Sequence, residues 1–186
     1  DQDDPEYGSK MARLLHDAQQ RGIKTSIDVV SEASDRFRKL VPMALKYTDY
    51  CIINEIEASE STGIELRTAD DQLIYENIPK ALRRMKELGV TTWAVIHCPE
   101  GGFGLDENDR YIEKKSLKLP AGYIKGSVGA GDAFCAGVLC GAEHKESLED
   151  SILLGIASAA CSLSEANATD GLRTREAAMQ LYKELR

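Results

Sequence analysis

An alternation of helical and extended segments along the first hundred residues is the feature that most restricts the fold of this chain. Apolar residues recur at helical spacing in 7–21, 34–46 and 73–88, and each segment is followed by a β-rich run: "IKTSIDVV", "DYCIIN" and "VTTWAVIH". Helices that alternate with strands form βαβ units, in which parallel strands are covered on both faces. The pattern predicts a single α/β domain over residues 1–186, a three-layer α/β/α sandwich with a mostly parallel sheet.

The amino-acid composition excludes some classes of binding partner for this protein. The 186 residues carry 23 Lys and Arg against 31 Asp and Glu, a net charge of −8, which argues against a nucleic-acid partner. No run of 18 or more apolar residues predicts a membrane span. The five cysteines show neither a CxxC pair nor Cys/His metal spacing, which is typical of a reducing compartment. We therefore expect a cytoplasmic protein without membrane or nucleic-acid partners.

A glycine-rich stretch late in the chain, "GSVGAGDAFCAG" at 126–137, precedes a predicted helix. The first amides of a helix lack intrahelical partners, and the small residues Gly129, Ala130 and Gly131 would let a phosphate approach them. Asp132 would lie in the first turn, where an ionised carboxylate could accept a proton from a hydroxyl that attacks the phosphate. A glycine turn whose acid only interacts with the helix dipole is the alternative, and these residues alone leave both interpretations open.

Two better-known nucleotide motifs do not fit this stretch, because it lacks the P-loop lysine and because GxGxxG would need glycine at Phe134. "VGAGDAFCAG" resembles instead the second signature of the ribokinase-like (PfkB-type) carbohydrate kinases. The resemblance implies a ribokinase-like fold. It also implies that Gly129, Ala130 and Gly131 form an anion hole for the transferred phosphate, with Asp132 as the catalytic base.

A second element, "NEIE" from Asn54 to Glu57, directly follows a predicted strand. It is similar to the family's N-x-x-E element, which implies that Asn54 and Glu57 organise Mg²⁺ and its waters near the ATP phosphates. The same spacing is that of a capping box with Asn54 as N-cap. The two roles are compatible.

The family's T-x-G-x-x-G element, which lies at the nucleotide phosphates and ribose, corresponds here to "HCPEGG". His97 stands in place of the Thr, and Gly102 keeps the last glycine. The resemblance implies that His97 and Gly102 contact ATP together with Ser127, Gly129 and Gly131. A single His at a strand end is also typical of an ordinary hydrogen-bonded residue.

The chain departs from the family pattern at Gly126 and Ser127, where relatives carry Asp-Thr. Since that Asp helps hold a monovalent cation in relatives, dependence on such a cation is in doubt. "SEANATDGL" lacks the family's Gly-Ala turn beside the adenine, so base specificity does not carry over. The resemblance implies that residues 1–186 are the C-terminal nucleotide-binding and catalytic portion, with the N-terminal sugar-binding part and lid absent from this chain.

The expected function is ATP-dependent phosphorylation of a sugar or sugar-like hydroxyl, with ATP and Mg²⁺ as cofactors and homo-oligomerisation left open. A nucleoside kinase of the same family is one alternative. A non-catalytic nucleotide-binding or interaction module is another, which Gly126, His97 and Pro99 favour. The intact acids Asp132 and Glu57 argue against it, because an inactive site has no chemical use for either.

Overall fold

The computed structural model of the protein describes residues 2–29 and 35–186. Between residues 10 and 98 its helices alternate with strands in the predicted order, except that the helices at 55–62 and 78–88 have no strand between them. The strands are β1 (Asp3–Asp4), β2 (Gly8–Ser9), β3 (Ser26–Ile27), β4 (Tyr50–Asn54), β5 (Trp93–Cys98), β6 (Gly101–Leu105) and β7 (Tyr111–Lys115). The helices are α1 (Lys10–Gln20), α2 (Asp35–Leu45), α3 (Glu55–Thr62), α4 (Ile78–Leu88), α5 (Ala130–Glu143), α6 (Leu148–Leu163) and α7 (Arg175–Leu185).

The main sheet has five strands in the order β3-β4-β5-β6-β7, and β1 and β2 form a separate antiparallel pair. Strands β3 and β4 are parallel, with Ser26 opposite Tyr50 and Ile27 opposite Cys51. The sheet is mixed, mostly parallel and flanked by helices, which confirms the predicted α/β fold class. The strands β3 and β7 lie at the two edges of the sheet.

Local chemistry explains where several elements differ from their predicted bounds. The hydroxyl of Ser9 accepts a hydrogen bond from the Ala12 amide at 3.1 Å, so α1 begins at Lys10 rather than at residue 7. The helix predicted over 73–88 begins at Ile78, because the proline that follows fits only the first turn of a helix. The predicted strand "IKTSIDVV" contributes only Ser26–Ile27, and its last residue lies outside the described part of the chain.

The chain forms two compact units. The first unit is Asp1–Ile96 with Gly104–Tyr111, and its core includes Ile52, Leu82 and Val95, which are fully buried. Within residues 2–29 and 35–186, no helix combines the length and the apolar character needed to cross a membrane.

The second unit is His97–Phe103 with Ile112–Arg186. Its helices α5 and α6 are in close contact, because a Cβ added to Gly137 would lie 2.8 Å from the Cα of Gly155. Helix α7 packs on α6 through an apolar cluster, and the buried members of that cluster are Leu154, Ala157, Ala160, Cys161, Ala178 and Leu181.

A buried carboxylate joins the amino ends of three neighbouring strands in the first unit. Asp49, which precedes β4, accepts hydrogen bonds from the backbone amide of Thr25 at 3.0 Å, before β3, and from the hydroxyl of Thr91 at 3.1 Å, before β5. Lys24 Nζ lies 2.6 Å from the same carboxylate. Burial alone would raise the pKa of Asp49, but Lys24 and the hydrogen-bond donors lower it from 3.8 to about 2. This network stabilises the ionised form of Asp49 in the folded state.

Asp49→Asn is expected to lower the free energy of unfolding at pH 7 by about 2 kcal/mol, since one pKa unit corresponds to about 1.4 kcal/mol. Because the folded pKa lies below the unfolded value, the contribution is complete above 3.8 and is lost as the pH falls toward about 2. Urea unfolding at several pH values measures both effects. Asp70→Asn, at an exposed turn, is the control, and an equal loss of stability in the two variants would contradict the prediction.

Candidate active site

The glycine-rich segment, residues 126–137, has a left-handed glycine directly before the first residue of α5. Gly129 has φ 80° and ψ 0°, and its carbonyl accepts the first helical hydrogen bond, from the Ala133 amide at 2.8 Å. Among residues 2–29 and 35–186, the structure shows no acceptor for the amides of Gly131 and Asp132. These N–H groups lie at the positive end of the helix dipole, so the segment has the backbone geometry of an anion cradle.

Two glycines allow the backbone of this segment to pack directly against residues 166–168. A Cβ added to Gly126 would lie 2.7 Å from the carbonyl oxygen of Ala166, and one added to Gly129 would lie 2.5 Å from the Cβ of Ala168. Neither position has room for a side chain. The glycines are therefore explained first by close packing, which fixes the backbone of the segment.

His97, from the end of β5, lies against the cradle. Its ring centroid is 4.9 Å from that of Phe134, and a Cβ added to Gly131 would lie 3.1 Å from its Cε1. Burial of the ring lowers the pKa of His97 to about 4, and the nearby carboxylate of Asp132 acts in the opposite direction. The structure thus brings His97 close to Gly131 and Asp132, although at least 33 residues lie between them in the sequence. With this pKa, the imidazole is neutral near pH 7.

We expect a proton NMR titration of His97 to show a midpoint near 4 rather than near its ordinary value of 6.5. Asp132→Asn should lower that midpoint further, because the variant removes the charge that favours imidazolium. Since the folded pKa lies below the unfolded value, the contribution of His97 to stability is present above 6.5 and is lost as the pH falls from 6.5 toward 4. A midpoint near 6.5 would contradict this effect of burial on the pKa of His97.

The other predicted residues of the second unit occupy distinct environments. Asp132 and Ser127 are exposed to solvent. Gly102 is buried in β6, where an added Cβ would lie 2.7 Å from Ile152 Cγ2 and 2.9 Å from Phe134 Cζ. Packing accounts for this glycine, and its contact with ATP stays a prediction.

Phe134 is the residue whose role sequence reasoning missed. Its ring supports His97 and closely approaches Gly102, so it connects β5 and β6 to the start of α5. The signal was present in the sequence, because an aromatic residue two positions after Asp132 falls on the helix face opposite the exposed acid. A core aromatic at that position orients the first turn of α5.

The predicted metal-binding residues lie in the first unit and form a capping box. Asn54 Oδ1 accepts a hydrogen bond from the Glu57 amide at 2.9 Å, and Glu57 Oε2 accepts one from the Asn54 amide at 3.0 Å. This confirms the capping role that their spacing predicts. The neighbouring acid Glu55 pairs instead with Arg67 at 2.6 Å.

Carboxylate and amide oxygens like those of the capping box are groups that Mg²⁺ and its waters bind. A carboxylate offers about four lone-pair directions, and the Asn54 amide occupies one of those of Glu57. Mg²⁺ keeps several waters and binds through one or two carboxylates, so these residues fit a water-mediated contact. In the part of the chain that the structure describes, no group of three or more His, Cys, Asp or Glu could hold a metal ion directly.

Comparison with known protein families gives a match over most of the chain. The sequence matches the pfkB family carbohydrate kinase over residues 2–175. No curated protein matches the chain.

Solved structures give the same fold. Ribokinase from Arabidopsis thaliana, complexed with ribose and ATP, is 20% identical with a TM-score of 0.74, over 93% of this chain and 52% of that one. Phosphofructokinase-2 from Escherichia coli in complex with potassium is 21% identical with a TM-score of 0.72, over 94% and 52%. The same enzyme in complex with substrates and products is 25% identical with a TM-score of 0.68, over 96% and 53%.

The chain spans about half the length of these structures, and the predicted ribokinase-like fold is confirmed. The family match covers nearly all of the sequence, including the glycine-rich segment and the capping box. The chain belongs to the PfkB family of carbohydrate kinases.

Proposed function

We propose that the protein containing this chain transfers the γ-phosphoryl group of ATP to a hydroxyl of a sugar or sugar-like molecule. The observation that carries the proposal is the position of Asp132. Its exposed carboxylate lies in the first turn of α5, next to open amides and a neutral imidazole. An acid beside an anion cradle suits a reaction in which a hydroxyl loses its proton while it attacks a phosphate.

In the proposed step, the Asp132 carboxylate accepts the proton of the acceptor hydroxyl as its oxygen forms a bond to the γ-phosphorus. The bond from that phosphorus to the bridging oxygen breaks, and ADP leaves with the electron pair. The amides of Gly129, Gly131 and Asp132 hydrogen-bond the transferring group and stabilise its charge, whereas the Ala130 amide donates to the Ser127 carbonyl. Mg²⁺, when bound, neutralises charge on the phosphates, with Asn54 and Glu57 as the residues proposed to orient its waters.

Three further residues are proposed to bind the nucleotide. His97 is neutral, so it retains one N–H that can donate to a phosphate oxygen without adding a charge. The Ser127 hydroxyl is exposed beside the cradle, and Gly102 would contribute through its backbone. Sugar recognition would depend on the half of the fold that this chain does not span.

Two alternative functions would use the same residues. A nucleoside acceptor needs the same base and the same anion cradle, so it differs only in the acceptor site. A non-catalytic nucleotide-binding module is favoured by Pro99 and His97, which replace the glycine and threonine of the family element. A cytoplasmic location and homo-oligomerisation stay predictions.

The test is phosphate transfer from ATP and Mg²⁺ across a panel of sugars and nucleosides, with the longest natural form of the protein. Turnover on a sugar supports the proposal, and turnover confined to nucleosides supports the first alternative. Binding of ATP without turnover on any acceptor would overturn the kinase proposal in favour of the binding module.

A further inference from the structure

We propose that the glycine-rich segment is held in place by direct contact with residues 163–168, and that phosphoryl transfer therefore needs no monovalent cation. The inference rests on the proposed function and concerns how its anion cradle is fixed. One solved relative, phosphofructokinase-2 from Escherichia coli, is described in complex with potassium. The residues of this chain do not fit such an ion.

The first observation concerns Gly126, which stands where the family pattern has an Asp. This position offers no side-chain oxygen, and a Cβ on it would lie 2.7 Å from the oxygen and 3.1 Å from the Cα of Ala166. Real Cβ atoms do not approach backbone so closely. The backbone of Ala166 therefore leaves no room for the first side-chain atom of an Asp at position 126.

The second observation is the same contact three residues later. Gly129 approaches Ala168 so closely that an added Cβ would lie 2.5 Å from the Cβ and 2.9 Å from the Cα of that residue. Because Gly126 and Gly129 both contact segment 166–168, the two segments touch on either side of Ser127. Contact at two points fixes the orientation of the segment as well as its distance.

Polar interactions also link the glycine-rich segment to residues 163–168. The Lys125 amide donates to the Leu163 carbonyl at 2.9 Å, and Lys125 Nζ lies 3.1 Å from Oε1 of Glu165. The ion pair is exposed and contributes modestly to stability. Potassium sites in proteins are built from oxygens such as backbone carbonyls. Here the carbonyls of Leu163 and Ser127 accept hydrogen bonds from the amides of Lys125 and Ala130, so the protein's own amides hold the backbone of this segment.

The experiment compares potassium, sodium and tetramethylammonium chloride at constant ionic strength, with the longest natural form of the protein. We expect turnover to agree within about twofold in the three salts. The unfolding temperature should also be the same in each, because an ion that binds only the folded state would raise it. Activation by potassium of about tenfold or more, or a rise in unfolding temperature specific to potassium, would overturn the inference.

Two variants test the contact itself. Gly126→Ala should lower turnover by about tenfold or more in every salt, because its Cβ must displace Ala166. Gly122→Ala is the control, since no atom lies within 4 Å of the added Cβ. Equal turnover in the two variants would show that the contact does not hold the cradle. If no acceptor is phosphorylated in any salt, the proposed function fails, and the unfolding temperatures still decide the question of the cation.

Discussion

Replacing Asp132 by Asn is expected to lower kcat by about 10²–10⁴-fold, the usual contribution of a general base. The amide has the size of the carboxylate but cannot accept the proton of the acceptor hydroxyl. Because Asp132 is exposed and lies in the first turn of α5, the variant should fold normally. Steady-state turnover and thermal unfolding, measured on the same samples, separate loss of chemistry from loss of structure.

Glu176→Gln is the matched control for this variant. Glu176 is also an exposed acid in the first turn of a helix, α7, so its replacement removes the same favourable interaction with a helix dipole. We expect its kcat to equal that of the wild type. If both variants lost activity equally, or if Asp132→Asn kept full activity, Asp132 would have only the dipole role that the sequence left open.

Gly129→Ala is expected to have the second-largest effect, about 10²-fold on turnover, which is the cost of a 1 Å misplacement in a catalytic site. The backbone of Gly129 has φ 80°, which costs a non-glycine residue about 1–2 kcal/mol. The added Cβ would also lie 2.5 Å from that of Ala168. The segment must therefore move, and the open amides of Gly131 and Asp132 move with it.

Gly122→Ala separates these two causes. Gly122 has φ 77°, so alanine there carries the same backbone strain, but no atom lies within 4 Å of its Cβ. We expect this variant to lose stability but keep its turnover. Equal turnover in Gly122→Ala and Gly129→Ala would mean that the contact with Ala168 does not position the cradle.

Periodicity predicted most of the fold, because apolar spacing alone identifies long amphipathic helices and buried strands. It failed where one interaction decides a boundary, as at Ser9, whose side-chain cap begins α1 later than the apolar pattern does. Periodicity also did not indicate that Asp49 is a buried, hydrogen-bonded carboxylate. A buried carboxylate that joins three strands depends on residues from Lys24 to Thr91 that only the tertiary fold brings together.

In the candidate site, too, some features could be predicted from local sequence and others could not. The start of α5 could be predicted from a local pattern, the order Gly129, Ala130, Gly131 and Asp132, because the geometry of a helix start depends on neighbouring residues. The approach of His97 to Gly131 joins distant parts of the sequence, so no local pattern could predict it. The capping box at Asn54 was predictable from spacing, whereas the binding of Mg²⁺ there stays a proposal.

The most direct test of the central claim is a single-turnover measurement with γ-labelled ATP, Mg²⁺ and an accepted substrate, on wild type and Asp132→Asn. Binding of a non-hydrolysable ATP analogue would be measured on the same samples. We predict equal analogue affinity in the two proteins, with rapid labelling of the acceptor by wild type and its loss in the variant. Labelling by Asp132→Asn at the wild-type rate would contradict the assignment of Asp132 as the base that phosphoryl transfer needs.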